Sequence, residues 1–312
     1  CYAVPTEGMV SGGGSARGTW SGKTWNLPEL LSERLGTKAK YEAAFMPRDI
    51  ESFSQDPARA VENAAACEIN VVCVGTGDAV EYESGDRASL ELPEVQVRAI
   101  LETASENPNT VVVLFAGSAV DVSAWEHAVS AIVYAGFPGE QGGAALADIL
   151  TGVVNPSGKL SETFPMSEED VPSVNAYRDA QVSLYEEGLN VGYRYFVTHG
   201  VPTKYPFGYG LSYSSFVYHN LVVTEEKDGL MISYELENAS ERCGKEISQI
   251  YVRPIAPRVY RPAWELKGYA KTELKANEKK KVSAKLVLSD FAYYSVAENR
   301  WKADDGLYEI YV

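Results

Sequence analysis

From residue 59 to residue 160 the chain alternates between two hydrophobic periods. "RAVENAAACEI" (59–69) spaces its apolar residues as a helix does, and "NVVCVGTG" (70–77) follows as an unbroken apolar run ended by glycine. "LPEVQVRAILETASENP" (92–108) returns to the helical period, with Val95, Ala99, Ile100 and Leu101 apolar, and "NTVVVLFAGS" (109–118) is a second unbroken run. "VSAWEHAVSAIVYAGFPGEQGGAALADILTG" (122–152) predicts a helix, a short strand and another helix. Strands that are apolar on both faces and alternate with helices predict an α/β fold, a mostly parallel sheet flanked by helices. Ligands of such sheets bind beyond the carboxyl ends of the strands.

After about residue 213 the period shortens. "LVVTEEKDGLMISYELENAS" (221–240), "KEISQIYVRPIA" (245–256), "ELKGYAKTELKANEKKKVSAKLVLS" (265–289) and "GLYEIYV" (306–312) are short alternating segments rich in Val, Tyr and Ile. Gly, Asn and Lys turns part them, which predicts an antiparallel β-sandwich of roughly 100 residues. The boundary falls at "GYGLSYSSF" (208–216), so the expected domains are 1–212 and 213–312.

Composition narrows the function. With 312 residues, 45% hydrophobic and 23% charged, the chain can bury a core in each domain. A formal net charge of -15 repels phosphates, so no nucleic-acid partner and no anionic membrane surface is expected. The basic run Lys279–Lys281 reads as a solvated turn. No stretch approaches the roughly 18 apolar residues of a membrane span. The four cysteines fit neither a zinc site nor a dense disulfide framework; reduced core thiols are expected, which leans toward an intracellular setting.

Several motifs fail on spacing. Gly12–Gly14 followed by "SGKT" (21–24) suggests a phosphate loop, but the glycine required six residues before Lys23 is Arg17. "GTGDAV" (75–80) lacks the third glycine of a dinucleotide fingerprint and reads as a glycine turn at a strand end. His127, His199 and His219 are scattered, without partners at metal spacing, and Ser118 lacks a nucleophile elbow. No cofactor and no metal is expected. What remains is the acidic stretch after the first unbroken run, with Asp78, Glu81, Glu83 and Asp86. It is either a solvated loop ahead of the next helix or the source of a general acid or base, because protonating a leaving oxygen needs a carboxyl at an accessible sheet edge. Residue types alone leave both readings open.

Longer motifs add a family. "GDRASLELPEVQ" (85–96), "NPNTVVVLFAGSAVDVSAW" (107–125), "AIVYAGFPGEQGGAALADILTGVVNPSGKLSETFP" (131–165), "YEEGLNVGYRYF" (185–196) and "YPFGYGLSYSSFVYHNL" (205–221) resemble glycoside hydrolase family 3, the β-glucosidase family. "RPAWELKGYAKTEL" (261–274) and "DGLYEIYV" (305–312) resemble that family's fibronectin-III-like domain. The resemblance implies an α/β sandwich domain followed by an all-β fibronectin-III-like sandwich. It also implies that a (β/α)8-type barrel, absent here and carried on the same gene or a second chain, holds the aspartate nucleophile. The sandwich domain would supply the acid/base of a retaining glycosidase, about 5–5.5 Å from that nucleophile.

Relatives carry a Glu-Gly-x-Asp-Arg segment where this chain reads "ESGDR" (83–87). Alignment on Asp86 and Arg87 makes Glu83 the acid/base; the shifted glycine keeps Glu81 as the alternative. Asp78 and Asp86 would shape the loop, and Arg194 and the glycines of "YPFGYGLSY" would fix the chain path. Trp20 and Trp25 offer faces for sugar stacking or pack in the core. The substrate implied is a β-linked oligosaccharide or glycoside, with β-glucosidase first, β-xylosidase as the nearest rival, and a non-catalytic carbohydrate-binding module as the reading of another class.

Overall fold

The structure is a computed structural model that describes residues 2–3, 27–37, 42–43, 57–76, 80, 85, 87–174, 181–182 and 184–312. For 2–3, 42–43 and 57–60 it describes the backbone. Two compact units divide the chain: Cys1–Val154 with Met166–Glu168, and Asn155–Pro165 with Glu169–Val312.

The first unit is built on a parallel sheet of β1 (Tyr2–Ala3), β2 (Glu42–Ala43), β3 (Asn70–Gly75), β4 (Thr110–Phe115) and β5 (Ala131–Tyr134). Its order is β2-β1-β3-β4-β5. β-branched residues suit a strand covered on both faces, and every residue of β3 is buried. Helices α1 (Leu27–Leu35), α2 (Pro57–Ala65), α3 (Glu94–Glu106) and α4 (Gly142–Leu150) supply the covers. Leu27, Leu30 and Leu31 of α1 and Leu146 and Ala147 of α4 share one core with Val71, Cys73, Val113 and Phe115. Alternate strand positions point the other way, so Val72, Val74, Val112 and Leu114 are fully buried on the opposite face, the side of α3 with its buried Ala99 and Ile100. Each such side chain contributes about 1.5–3 kcal/mol by leaving water.

The amino ends of the strands are tied by polar side chains. Asn107 Nδ2 donates to the Cys67 carbonyl at 2.6 Å, Thr110 Oγ1 donates to the Asn107 carbonyl at 2.7 Å, and the Asn70 N–H reaches the Asn109 carbonyl at 3.0 Å. The expected helix after residue 122 is only a 3-10 turn, Glu126–Ala128. Trp125, fully buried just before it, pins the segment, and the Ser130 N–H bonds the Thr110 carbonyl as β5 begins, which leaves no length for a helix.

The second unit contains two three-stranded antiparallel sheets. One has the order β11-β10-β15, from β10 (Gly244–Pro254), β11 (Glu265–Leu274) and β15 (Tyr308–Tyr311); the other is β12-β9-β8, from β8 (Phe216–Glu226), β9 (Gly229–Asn238) and β12 (Lys279–Val287). Ile232 and Leu286 of one sheet meet Ile250 and Val252 of the other in a shared core. The burial of β10 alternates with period two, as one inward face of a sandwich requires. Short pairs β6 (Phe164–Pro165) with β7 (Thr203–Tyr205) and β13 (Tyr293–Ser295) with β14 (Arg300–Lys302), and the helix Tyr193–His199, belong to the same unit.

Candidate functional site

The order β2-β1-β3-β4-β5 reverses direction between β1 and β3. In doubly wound sheets the point where the strand order reverses, beyond the carboxyl ends of the strands, is the usual binding place. The stretch carrying Trp20 and Trp25 follows β1, and the stretch carrying Asp78, Glu81, Glu83 and Asp86 follows β3. All six lie outside the described residues.

Both ends of the acidic stretch are held. On its amino side, Gln96 of α3 clamps Gly75: Oε1 accepts the Gly75 N–H at 2.9 Å and Nε2 donates to the Gly75 carbonyl at 3.0 Å. The next amide, Thr76 N–H, bonds the Phe115 carbonyl at 2.9 Å and extends the pairing with β4 by one residue. Gly75 is required here because a Cβ would stand 1.9 Å from the Phe115 oxygen, so the glycine serves close strand approach. On its carboxyl side, Arg87 Nη1 donates to Ser118 Oγ and to the Ala119 carbonyl, both at 2.9 Å, and Nη2 to the Leu90 carbonyl at 3.0 Å. The Asp121 N–H then bonds the Leu90 carbonyl at 2.8 Å, strapping the returning chain to the segment after β4. The stretch therefore starts at the β3 edge and ends against the chain leaving β4.

Cys73, the thiol inside β3, is pushed up to about 12 by burial and is no nucleophile at neutral pH. Among the described residues no group of His, Cys, Asp and Glu gathers that could hold a metal ion. His219 Nε2 instead stands 2.8 Å from Glu237 Oε2 on the sandwich. Arg194 lies over the Tyr193 ring, 5.8 Å from its centroid.

A doubly wound parallel sheet, with an antiparallel sandwich later in the chain, defines a class to which comparison gives a family. Residues 5–213 match the model of the glycosyl hydrolase family 3 C-terminal domain, and residues 246–312 match a fibronectin type III-like domain. The exo-α-(1→6)-L-arabinopyranosidase of Bifidobacterium longum is 38% identical over 306 residues, 96% of this chain and 40% of that protein. The thermostable β-glucosidase B of Acetivibrio thermocellus is 40% identical over 256 residues, 80% of this chain and 34% of that protein. The crystal structure of the Bifidobacterium adolescentis family 3 β-glucosidase superposes with a TM-score of 0.90 at 34% identity, covering 99% of this chain and 46% of that one. The chain belongs to glycoside hydrolase family 3 and corresponds to its C-terminal portion; it spans less than half the length of these relatives.

Gln96 is the residue that pattern reading passed over. It precedes Ala99, Ile100 and Thr103 by three, four and seven positions, so it sits on the buried face of α3. A polar residue on a buried helical face is the signal that it satisfies something, here both polar groups of Gly75.

Proposed function

We propose that this chain supplies the acid/base carboxyl of a retaining β-glycosidase, a β-glucosidase, with Glu83 in that role and Glu81 as the alternative. The nucleophilic aspartate belongs to a (β/α)8 barrel outside these residues, and the substrate is a terminal β-linked sugar of an oligosaccharide or glycoside. The observation that carries this reading is the anchoring of the acidic stretch: it follows the carboxyl end of β3 at the β1/β3 switch point, held at its start by Gln96 and at its return by Arg87. An acid/base must stay within hydrogen-bond reach of a leaving oxygen, which a loop fixed at both ends achieves at lower entropic cost than a free one. It must also be protonated before attack; neighbouring acids and the desolvation imposed by bound sugar both push a carboxyl upward. In the glycosylation step it gives its proton to the departing oxygen as the barrel aspartate attacks the anomeric carbon. In the second step the resulting carboxylate takes a proton from water as that water displaces the aspartate.

The test uses the full-length gene product and an aryl β-glucoside. Glu83→Ala should lower the hydrolysis rate by about 10²–10⁴-fold. Azide should restore turnover in that variant alone, because a small anion attacks the glycosyl-enzyme without general-base help. Rescue confined to Glu81→Ala transfers the role to Glu81, and full activity in both variants overturns the reading. A second substrate is favoured by a specific observation: the arabinopyranosidase relative is similar over 96% of this chain. Aryl α-L-arabinopyranoside and aryl β-xyloside therefore join the panel. No turnover of any of the three by the full-length protein favours a non-catalytic module.

A further inference from the structure

The second unit contains a cavity of about 540 Å³, lined wholly by its own residues and remote in sequence from the acidic stretch. That size lies in the range of roughly 300–1,000 Å³ typical of small-molecule sites. One wall is a continuous series of rings from the helix Tyr193–His199, β10, β15 and two loops. Tyr193 stacks on Phe207 with centroids 4.8 Å apart and meets Tyr251 edge-on at 5.9 Å. Tyr251 stands perpendicular to Trp264 at 6.3 Å, and Trp264 packs against Tyr311. Burial pushes the Tyr251 hydroxyl up to about 12 and also raises that of Tyr218, which lines the same cavity.

The polar groups lining the same cavity are organised. Lys159 Nζ pairs with Glu246 Oε1 at 3.0 Å and donates to the Gly210 carbonyl at 2.8 Å; the two side chains are only 17% and 11% exposed. Tyr218 also addresses Glu246 Oε1, which leaves Oε2 as an acceptor, and an ammonium with three donors keeps one more to give. Gln249 Nε2 donates to the Gly208 carbonyl at 3.1 Å while Oε1 accepts the Tyr251 hydroxyl at 2.7 Å, so one amide N–H is left over. Gly208 permits this: with φ +82, it would drive any Cβ into the Gln249 side chain.

We infer that this cavity binds a neutral saccharide of one or two pyranose units. A pyranose has an apolar C–H face and a rim of hydroxyls that both donate and accept. The ring wall suits the first, and the acceptor on Glu246 with the donors on Lys159 and Gln249 suits the second. Charge decides against an anion: Lys159 is already neutralised by Glu246, and a net charge of -15 repels one from a distance. An aryl compound would cover the rings but leave the polar rim desolvated without partners.

The experiment is calorimetric titration of the 312-residue chain with cellobiose and gentiobiose, with phenol as the aryl probe. Saturable binding of at least one disaccharide, weakened about tenfold or more in Trp264→Ala, is the expected result. Trp264→Phe, which keeps a ring in place, should weaken it several-fold and guards against a variant that fails to fold. Glu81→Ala/Glu83→Ala should bind as wild type does. The inference is overturned by absence of disaccharide binding, by binding of phenol alone, by binding unchanged in both Trp264 variants, or by binding lost in the double glutamate variant. That last result would place the sugar at the acidic stretch, and hydrolytic activity of the full-length protein tests that stretch independently.

Discussion

At the scale of single residues, the carboxyl edge of the parallel sheet is set by three residues, each with a distinct cost of substitution. A methyl on Gly75 collides with backbone, not with a side chain that could swing away. Gly75→Ala should therefore destabilise by about 1–3 kcal/mol or more through overpacking, read as a fall in the denaturant midpoint. Gln96→Leu keeps the volume and removes the clamp, leaving the Gly75 N–H and C=O without that partner in a buried place. The expected loss is about 1–3 kcal/mol per orphaned group. Arg87→Ala acts differently, because its partners include Ser118 and two carbonyls at the loop return. In the full-length protein it should reduce kcat/KM on aryl β-glucoside while the sheet still melts cooperatively. It also removes a positive charge one and four positions after Asp86 and Glu83 in sequence, which favours protonated carboxyls, so the alkaline limb of the pH–rate profile should move to higher pH. An unshifted limb with normal activity would remove Arg87 from the positioning of the acid/base.

At the scale of elements, β3 ties thermodynamics to pH through Cys73. Its folded pKa of about 12 stands above the ordinary 9.0, so between those values the folded state keeps a proton that the unfolded chain releases. Stability from this group is whole below pH 9.0 and falls as pH rises toward 12, by up to about 1.4 kcal/mol per unit. Denaturant unfolding at a series of alkaline pH values should show a shallower decline for Cys73→Ala than for wild type, even though the variant starts lower for lost packing. Equal slopes would mean the thiol is hydrated in the folded chain. The elements also show what sequence can carry. β3 and β4 were legible because strands buried on both faces must be apolar at every position, and few other structures allow that in six residues. The sandwich strands were legible from period two, as in β10. The stretch at 122–128 was misread because a buried Trp125 and the bond from Ser130 to Thr110 outweigh a helical spacing too short to nucleate on its own. β1 and β2, two residues each in the structure, carry no periodicity to read; their place comes from pairing with β3 and with each other. Of the candidate site, the acidic stretch was legible as composition and Arg87 as a motif residue, but the bonds by which Gln96 and Arg87 hold the chain were not, since most of them run to backbone groups that no pattern of side chains reports.

At the scale of the whole molecule, the proposed chemistry divides between chains of residues that this one does not unite. Retaining hydrolysis needs a nucleophile and an acid/base about 5–5.5 Å apart, and either alone leaves one step without its reagent. Without the nucleophile there is no glycosyl-enzyme, and the proton donor faces an acetal that water attacks too slowly to matter. The 312 residues by themselves should therefore release no aryl alcohol from an aryl β-glucoside above the rate of a protein-free blank, whatever the state of Glu83. The same chain within the full-length protein should turn the substrate over, and Glu83→Ala should then matter. The contrast carries the information: inactivity of the piece together with activity of the whole locates the second carboxylate outside these residues. Turnover by the isolated chain that disappears in the Glu81→Ala/Glu83→Ala variant would mean that the acidic stretch supplies both carboxylates, and the division of labour proposed here would fail.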